Sequence, residues 1–212
     1  MSDTLAKRHS LYWLPNALTV LRIALIPVMV WSILKGNQNA GNALSTGVLA
    51  RFSIVLFIFC ALTDFIDGYL ARKWKVTSDF GRMLDPIADK LLVAACLIGF
   101  CIISLGDWRF IIPALLIIGR DITISGVREY AALAGKVMAP TKLAKWKTAT
   151  EMAGITAVLV WIAAFKRDIM LVDGTADTPS LLLAIAIALL WLAAFLSVFT
   201  GFKYFRSALA KV

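Results

Sequence analysis

The chain has 212 residues, 60% of them hydrophobic, with a mean hydropathy of +0.83, which is too apolar for a soluble domain of this length and marks an integral membrane protein. Lys and Arg number 22 against 13 acidic residues, a formal charge of +9. In a membrane chain such an excess points to anionic headgroups and phosphate substrates before nucleic acid, and no basic run interleaved with aromatics argues for the latter.

Residues 1–15 place Lys7 and Arg8 ahead of Tyr12 and Trp13, the pattern of a short interfacial helix. Residues 16–34 follow as a first crossing, because Arg22 and Pro27 interrupt the apolar core that a signal peptide needs. A Gly- and Asn-rich turn leads to residues 44–72, long enough to cross and protrude. The loop 73–81 holds Thr77, Ser78 and Asp79 as caps for a third span from about Gly81 to about Leu105. Residues 108–133, 142–165 and 178–202 complete the set, the last with no charge in its core and read as packing or lipid contact. Cys60, Cys96 and Cys101 lie inside apolar runs without metal or redox spacing and read as apolar filling. The fold expected is a single all-α membrane domain over 1–212, with six transmembrane helices and an N-terminal interfacial helix.

With the N-terminus inside, 14 Lys and Arg fall on the inner ends and loops against 5 on the outer side, so both termini and the 73–81 loop are expected in the cytoplasm.

The densest chemistry lies between Asp64 and Asp89. Asp64 and Asp67 are spaced i,i+3 and Asp85 and Asp89 i,i+4, which puts each pair on one helix face. If the two runs form a helical hairpin, the paired faces meet. Two carboxylates roughly 6 Å apart at an effective dielectric near 20 repel by about 3 kcal/mol, so four together near lipid need protons, basic partners or divalent cations. All-oxygen ligation suits Mg²⁺ or Mn²⁺, which in such sites share their coordination shell with substrate phosphates. Gly68 and Ala71 leave room for a ligand or for a neighbouring helix. Arg120 stands well inside an apolar span, where a cation is costly unless paired or wet; it is either a ligand for an anion or a structural partner of Asp121. Lys142, Lys145 and Lys147 are either further phosphate ligands or a positive flank.

The residues Asp64, Asp67, Gly68, Ala71, Arg72, Gly81, Asp85 and Asp89 resemble the signature of the CDP-alcohol phosphotransferase family, D-x-x-D-G-x-x-A-R, then eight residues, then G-x-x-x-D-x-x-x-D. Leu14-Pro15-Asn16, Leu18-Thr19, the stretch 22–27, Gly119-Arg120, Val127-Arg128-Glu129 and Lys145-Trp146-Lys147-Thr148 are similar to its bacterial branch that uses glycerol 3-phosphate. That branch usually carries Arg-Glu where this chain has Arg120-Asp121, and Ser78 stands where the family more often has Thr.

The resemblance implies transfer of a phosphatidyl group from CDP-diacylglycerol to glycerol 3-phosphate, giving phosphatidylglycerophosphate and CMP. It implies two Mg²⁺ or Mn²⁺ ions on Asp64, Asp67, Asp85 and Asp89, with Asp89 also taking the acceptor hydroxyl proton. Gly68, Ala71, Arg72, Ser78 and Gly81 would line the CDP-diacylglycerol site, and Arg120, Lys142, Lys145 and Lys147 would bind the acceptor phosphate. A homodimer in the bacterial inner membrane, with its site facing the cytoplasm, is implied as well. Alternatives are a sister reaction with inositol phosphate, serine or phosphatidylglycerol, a Mg²⁺-dependent membrane prenyltransferase, or an ion-coupled transporter.

Overall fold

The computed structural model describes residues 14–38, 43–74, 79–133, 135, 142–165 and 181–209; the side chains of Asp67, Gly68, Ala71, Arg72 and Lys142 are not among those described. The interfacial helix expected before Leu14, and the capping residues Thr77 and Ser78, lie outside the described residues. Six helices follow in order: α1 Leu14–Gln38, α2 Ala43–Trp74, α3 Asp79–Ile103, α4 Trp108–Leu133, α5 Lys142–Phe165 and α6 Leu181–Leu209. No strand occurs among the described residues. This is an all-α membrane protein.

Long apolar runs become helices here because lipid offers the backbone no hydrogen-bond partner, so each N–H and C=O must be satisfied within its own segment. Five helices, all but α5, are long and apolar enough to cross a membrane. The exception has a charged first half, with Lys145, Lys147 and Glu151, of which Lys147 and Glu151 are buried in the protein and Lys145 is exposed. Serine and threonine within the spans close on their own helices: the hydroxyls of Ser32, Ser53 and Thr63 each donate to the carbonyl three residues back.

The helices pack as a closed ring in the order α1, α2, α5, α6, α4, α3 and back to α1. Its interior is filled by Met29 and Ile33 of α1, Phe57 and Cys60 of α2, Cys96 and Phe100 of α3, Ile117 of α4, Ile155 and Leu159 of α5, and Leu190 and Ala194 of α6. Close approach needs small residues where no hydrophobic drive separates helix from lipid tail. At Gly154 of α5 an added Cβ would meet the Leu190 backbone nitrogen of α6 at 3.2 Å. Large apolar side chains such as Val55, Leu115, Ile122, Phe195 and Phe202 point outward, as a lipid-facing surface requires.

The hairpin expected of α2 and α3 is opened by a third element. These two helices touch only lightly, and α1 packs along both. The reason is electrostatic as much as steric, since α1 brings a buried cation to the acids of each.

Candidate active site

The chemistry-bearing residues gather at one end of the ring, formed by the first halves of α1, α3 and α5 and the second halves of α2, α4 and α6. This follows from the alternation of six antiparallel runs, and the polar contacts trace it from helix to helix.

Two polar residues of α1 face the acids. Thr19 and Arg22, spaced i,i+3, share a helix face and are both buried. The Thr19 hydroxyl donates to Asp85 Oδ1 at 2.7 Å. Arg22 Nη1 donates to Asp64 Oδ1 at 2.8 Å and to Asp89 Oδ1 at 3.4 Å. The side chain of Arg22 is 0% exposed, against 38% for Asp64 and 50% for Asp89, so the cation is buried and its acids open toward solvent. Of the ways to hold four carboxylates together, α1 thus supplies a basic partner. Because one nitrogen serves both, Asp64 and Asp89 are drawn to a common point from different helices.

Carboxylate oxygens alone make up the donor set, and their convergence suits a hard divalent cation. Among the described residues no three Asp, Glu, His or Cys side chains meet closely enough to hold a metal by themselves, and Asp67 is not among those described. On α2 it lies i,i+3 from Asp64, with Gly68, Ala71 and Arg72 following on the same helix; Gly81 is buried on α3. Asp64 and Asp89 are thus brought to Arg22 and Asp85 is held by Thr19 on the same face of α1, so the acids on hand are of the oxygen-donor kind that such an ion takes.

Asp89 also lines a cavity of about 630 Å³ between α3, α4 and α5. Its cations are Lys90, Arg120, Arg128 and Lys147 and its acids Asp89, Asp121, Glu129 and Glu151, so the charges balance within the lining. Asp121 is the hub. It accepts from Arg120 Nη1 at 2.9 Å and from Lys147 Nζ at 2.9 and 2.8 Å through its two oxygens. Lys147 also pairs with Glu151 Oε2 at 2.9 Å, so these three oxygens engage every N–H an ammonium carries. Lys90 donates to the Ser125 hydroxyl, which in turn donates to the Asp121 carbonyl.

Two polar atoms of the lining residues lack a partner. Among the described residues, Arg120 Nε and Glu151 Oε1 are buried without a hydrogen-bond partner. A buried donor or acceptor left unmade costs about 1–3 kcal/mol, a cost the fold carries at these two residues. Lys145 is exposed and does not line the cavity, Lys142 opens α5 with its side chain undescribed, and Ser78 lies outside the described residues.

Several residues that the sequence left without a role join the site. Arg22 and Thr19 had a signal, a cation and a hydroxyl at i,i+3 in an otherwise apolar span. Lys90 had only its nearness to Asp89, and Arg128 stood in a stretch similar to the family without a role of its own. Thr200 and Tyr204 of α6 reach Arg120 and Arg128, and their i,i+4 spacing in a helix read as inert was the one available hint.

Comparison with known proteins agrees with this geometry. The CDP-alcohol phosphatidyltransferase profile matches residues 12–202. A CDP-diacylglycerol--glycerol-3-phosphate 3-phosphatidyltransferase of Cereibacter sphaeroides is 35% identical, over 92% of this chain and 95% of its own length. One of that name from Rickettsia bellii is 38% identical over 92% of this chain and 94% of its own. A cardiolipin synthase (CMP-forming) of Oryza sativa is 38% identical over 91% of this chain and 56% of its own length. With the profile covering nearly the whole ring of helices, the chain belongs to the CDP-alcohol phosphatidyltransferase family.

Proposed function

We propose that this protein transfers a phosphatidyl group from CDP-diacylglycerol to glycerol 3-phosphate, forming phosphatidylglycerophosphate and releasing CMP. The observation that carries the reading is that Asp89 shares one cavity with Arg120 and Arg128, so a hydroxyl beside the carboxylate and a phosphate beside the guanidiniums belong to one small molecule. Glycerol 3-phosphate carries both groups. Its phosphate oxygens accept from guanidinium N–H groups, and its second hydroxyl can donate to a carboxylate.

In the transfer, Asp89 accepts the proton of the attacking hydroxyl, whose oxygen bonds to the phosphorus of the phosphatidyl group as the bond from that phosphorus to CMP breaks. Gly68, Ala71, Arg72, Ser78 and Gly81 receive the nucleotide and pyrophosphate. Arg120 and Arg128 bind the acceptor phosphate, Lys142 and Lys145 at the start of α5 draw it toward the cavity, and Lys147, engaged by Asp121 and Glu151, adds its charge to the lining. The family is generally dependent on divalent metal. Two Mg²⁺ or Mn²⁺ ions on Asp64, Asp67, Asp85 and Asp89 would supply charge neutralisation of the pyrophosphate. The excess of Lys and Arg at this end supports a cytoplasmic orientation in the inner membrane of a bacterium. Cysteine labelling at Lys75 and at Asp173, in a background without the three native cysteines, is expected to report opposite sides.

The identity to a cardiolipin synthase favours one second reading, in which phosphatidylglycerol is the acceptor. Purified protein given CDP-diacylglycerol and a panel of glycerol 3-phosphate, glycerol, inositol phosphate, serine and phosphatidylglycerol separates the two. CMP release is expected with glycerol 3-phosphate, and only with Mg²⁺ or Mn²⁺ present. Faster release with phosphatidylglycerol transfers the assignment to the second reading.

A further inference from the structure

No residue of α6 is among those lining the cavity beside Asp89, yet its last third is built against the two arginines that do. Thr200, Gly201 and Tyr204 are all buried, and their i, i+1, i+4 spacing puts them on one face. The Thr200 hydroxyl donates to the Leu196 carbonyl of its own helix at 2.7 Å. With its proton directed there, its lone pairs face outward, and it accepts from Arg120 Nη2 at 2.9 Å. At Gly201 an added Cβ would stand 3.0 Å from Arg120 Cγ and 3.6 Å from Arg120 Nε, so the stem of the arginine lies in the groove that the missing side chain leaves. The Tyr204 ring lies 5.0 Å from Arg128 Cζ and 6.0 Å from Arg120 Cζ. Its hydroxyl accepts from Arg128 Nη2 at 3.2 Å.

Three contacts from one face therefore fix one guanidinium by its tip, its stem and its plane, and tether a second. Helix packing alone does not call for this. A packing face needs small or apolar groups, whereas here a hydroxyl and a phenol each meet a guanidinium. We propose that Thr200, Gly201 and Tyr204 are positioning residues that aim Arg120 and Arg128 at the acceptor's phosphate, so that α6 sets acceptor affinity without touching the substrate. The proposal rests on the reading of Arg120 as a phosphate ligand.

The test compares Thr200→Val, which keeps shape and loses the hydroxyl, with Thr200→Ser, which keeps the hydroxyl, and with Gly201→Ala and Tyr204→Phe. Each is assayed in the full-length protein for CMP release, varying glycerol 3-phosphate and CDP-diacylglycerol separately. Thr200→Val and Gly201→Ala are expected to raise the KM for glycerol 3-phosphate on the order of 10-fold while the KM for CDP-diacylglycerol stays within about twofold. Thr200→Ser restores the wild-type value, and Tyr204→Phe shows a smaller rise of about threefold. In Arg120→Ala, the further change Thr200→Val adds nothing, because the group it positions is gone.

Equal losses for both substrates, or full additivity of Thr200→Val with Arg120→Ala, overturn the proposal in favour of packing. The two readings fail separately. If Arg120→Ala raises the acceptor KM and Thr200→Val does not, only the role of α6 falls; if Arg120→Ala itself leaves the acceptor KM unchanged, the phosphate assignment falls and takes α6 with it.

Discussion

Arg22 and Arg120 both stand inside apolar helices, and their surroundings differ in kind. Arg22 is fully buried and takes its acids from two other helices, Asp64 of α2 and Asp89 of α3. Arg120 takes its acid from the next residue of its own helix, Asp121, and on α6 it meets neutral groups, the Thr200 hydroxyl and the Tyr204 ring. A cation whose acids come from two separate helices ties those helices together and has its charge spent on them. A cation paired within its own helix leaves the fold less dependent on it and keeps donors for a ligand. The contrast suits Arg22 to assembly of the carboxylate cluster and supports the proposed binding role of Arg120, a division that two cations in apolar runs do not reveal by themselves.

The largest effects are expected at the acids themselves. Asp85→Asn and Asp89→Asn keep shape but remove charge, and each should lower CMP release on the order of 10³-fold or more while the protein stays folded in detergent. EDTA should stop the wild type, and Mg²⁺ or Mn²⁺ should restore it. Near-normal turnover of either variant at limiting Mg²⁺ would dissolve the distinction between an acid cluster for catalysis and one for structure.

Arg22→Ala is expected next. It removes the charge-assisted contacts to Asp64 and Asp89, but these acids are partly solvated, so the cost lies near the lower end of such contacts, about 1.5–2 kcal/mol. The variant should melt a few degrees lower in detergent, and rates should fall alike whichever substrate is varied. Arg22→Lys should not rescue it, since a point charge on a shorter stem does not serve two acids as a guanidinium does. A rise in acceptor KM alone, with unchanged melting, would place Arg22 in the same class as Arg120.

Arg120→Ala should do the reverse. Loss of a charge-assisted contact to phosphate costs on the order of 1.5–3 kcal/mol, or about 10- to 150-fold in kcat/KM for glycerol 3-phosphate, with the donor KM preserved. Plain glycerol should be a poor acceptor for the wild type and lose little further in the variant. Equal loss with both acceptors would make Arg120 a structural partner of Asp121.

How much of this was legible in the sequence depends on whether the signal was local. Apolar run length set the spans, and the fourth and fifth helices begin and end at the expected residues, because Trp108 and Lys142 mark real changes of polarity. The other boundaries differ by a few residues: α1 and α2 extend at both ends into their polar flanks, since a helix continues past the apolar stretch until a turn stops it, while α3 ends at Ile103 and α6 begins at Leu181, each inside the expected limit. The acid spacing was legible because i,i+3 and i,i+4 are properties of one helix. What no local pattern carries is which helix lies between two others. Thr19 and Arg22 were visible as residues, but their insertion between α2 and α3 depends on the ring order. The same holds for Thr200 and Gly201, whose meaning lies entirely in Arg120, some eighty residues away.

The smallest effect is expected at the far end of the ring, where charge is used locally. There α3 closes with Leu105 at φ 48° and Gly106 at φ 83°, and the Gly106 N–H reaches back to the Cys101 carbonyl at 3.0 Å, a left-handed helix stop. Asp107 then caps α4, accepting from the Arg109 backbone N–H at 2.8 Å and from Arg109 Nε at 2.7 Å. Burial pushes the Asp107 carboxyl up, but the hydrogen bonds and charge of Arg109 outweigh it and hold the group below its ordinary value of 3.8. A depressed carboxylate stabilises the fold above its unfolded pKa, and that contribution is lost as pH falls through the folded one. Asp107→Asn keeps the cap and loses the charge, so at neutral pH it should cost less than about 1 kcal/mol. The melting difference from wild type should shrink toward zero as pH is lowered from about 5 to below the folded pKa. Both KM values should be unchanged, since among the described residues the Asp107 side chain pairs with Arg109, two residues on, and not with the acid cluster. A shift in acceptor KM from this position would mean that the two ends of the ring are coupled, and that separating Arg22 from Arg120 by their immediate partners is too narrow a description.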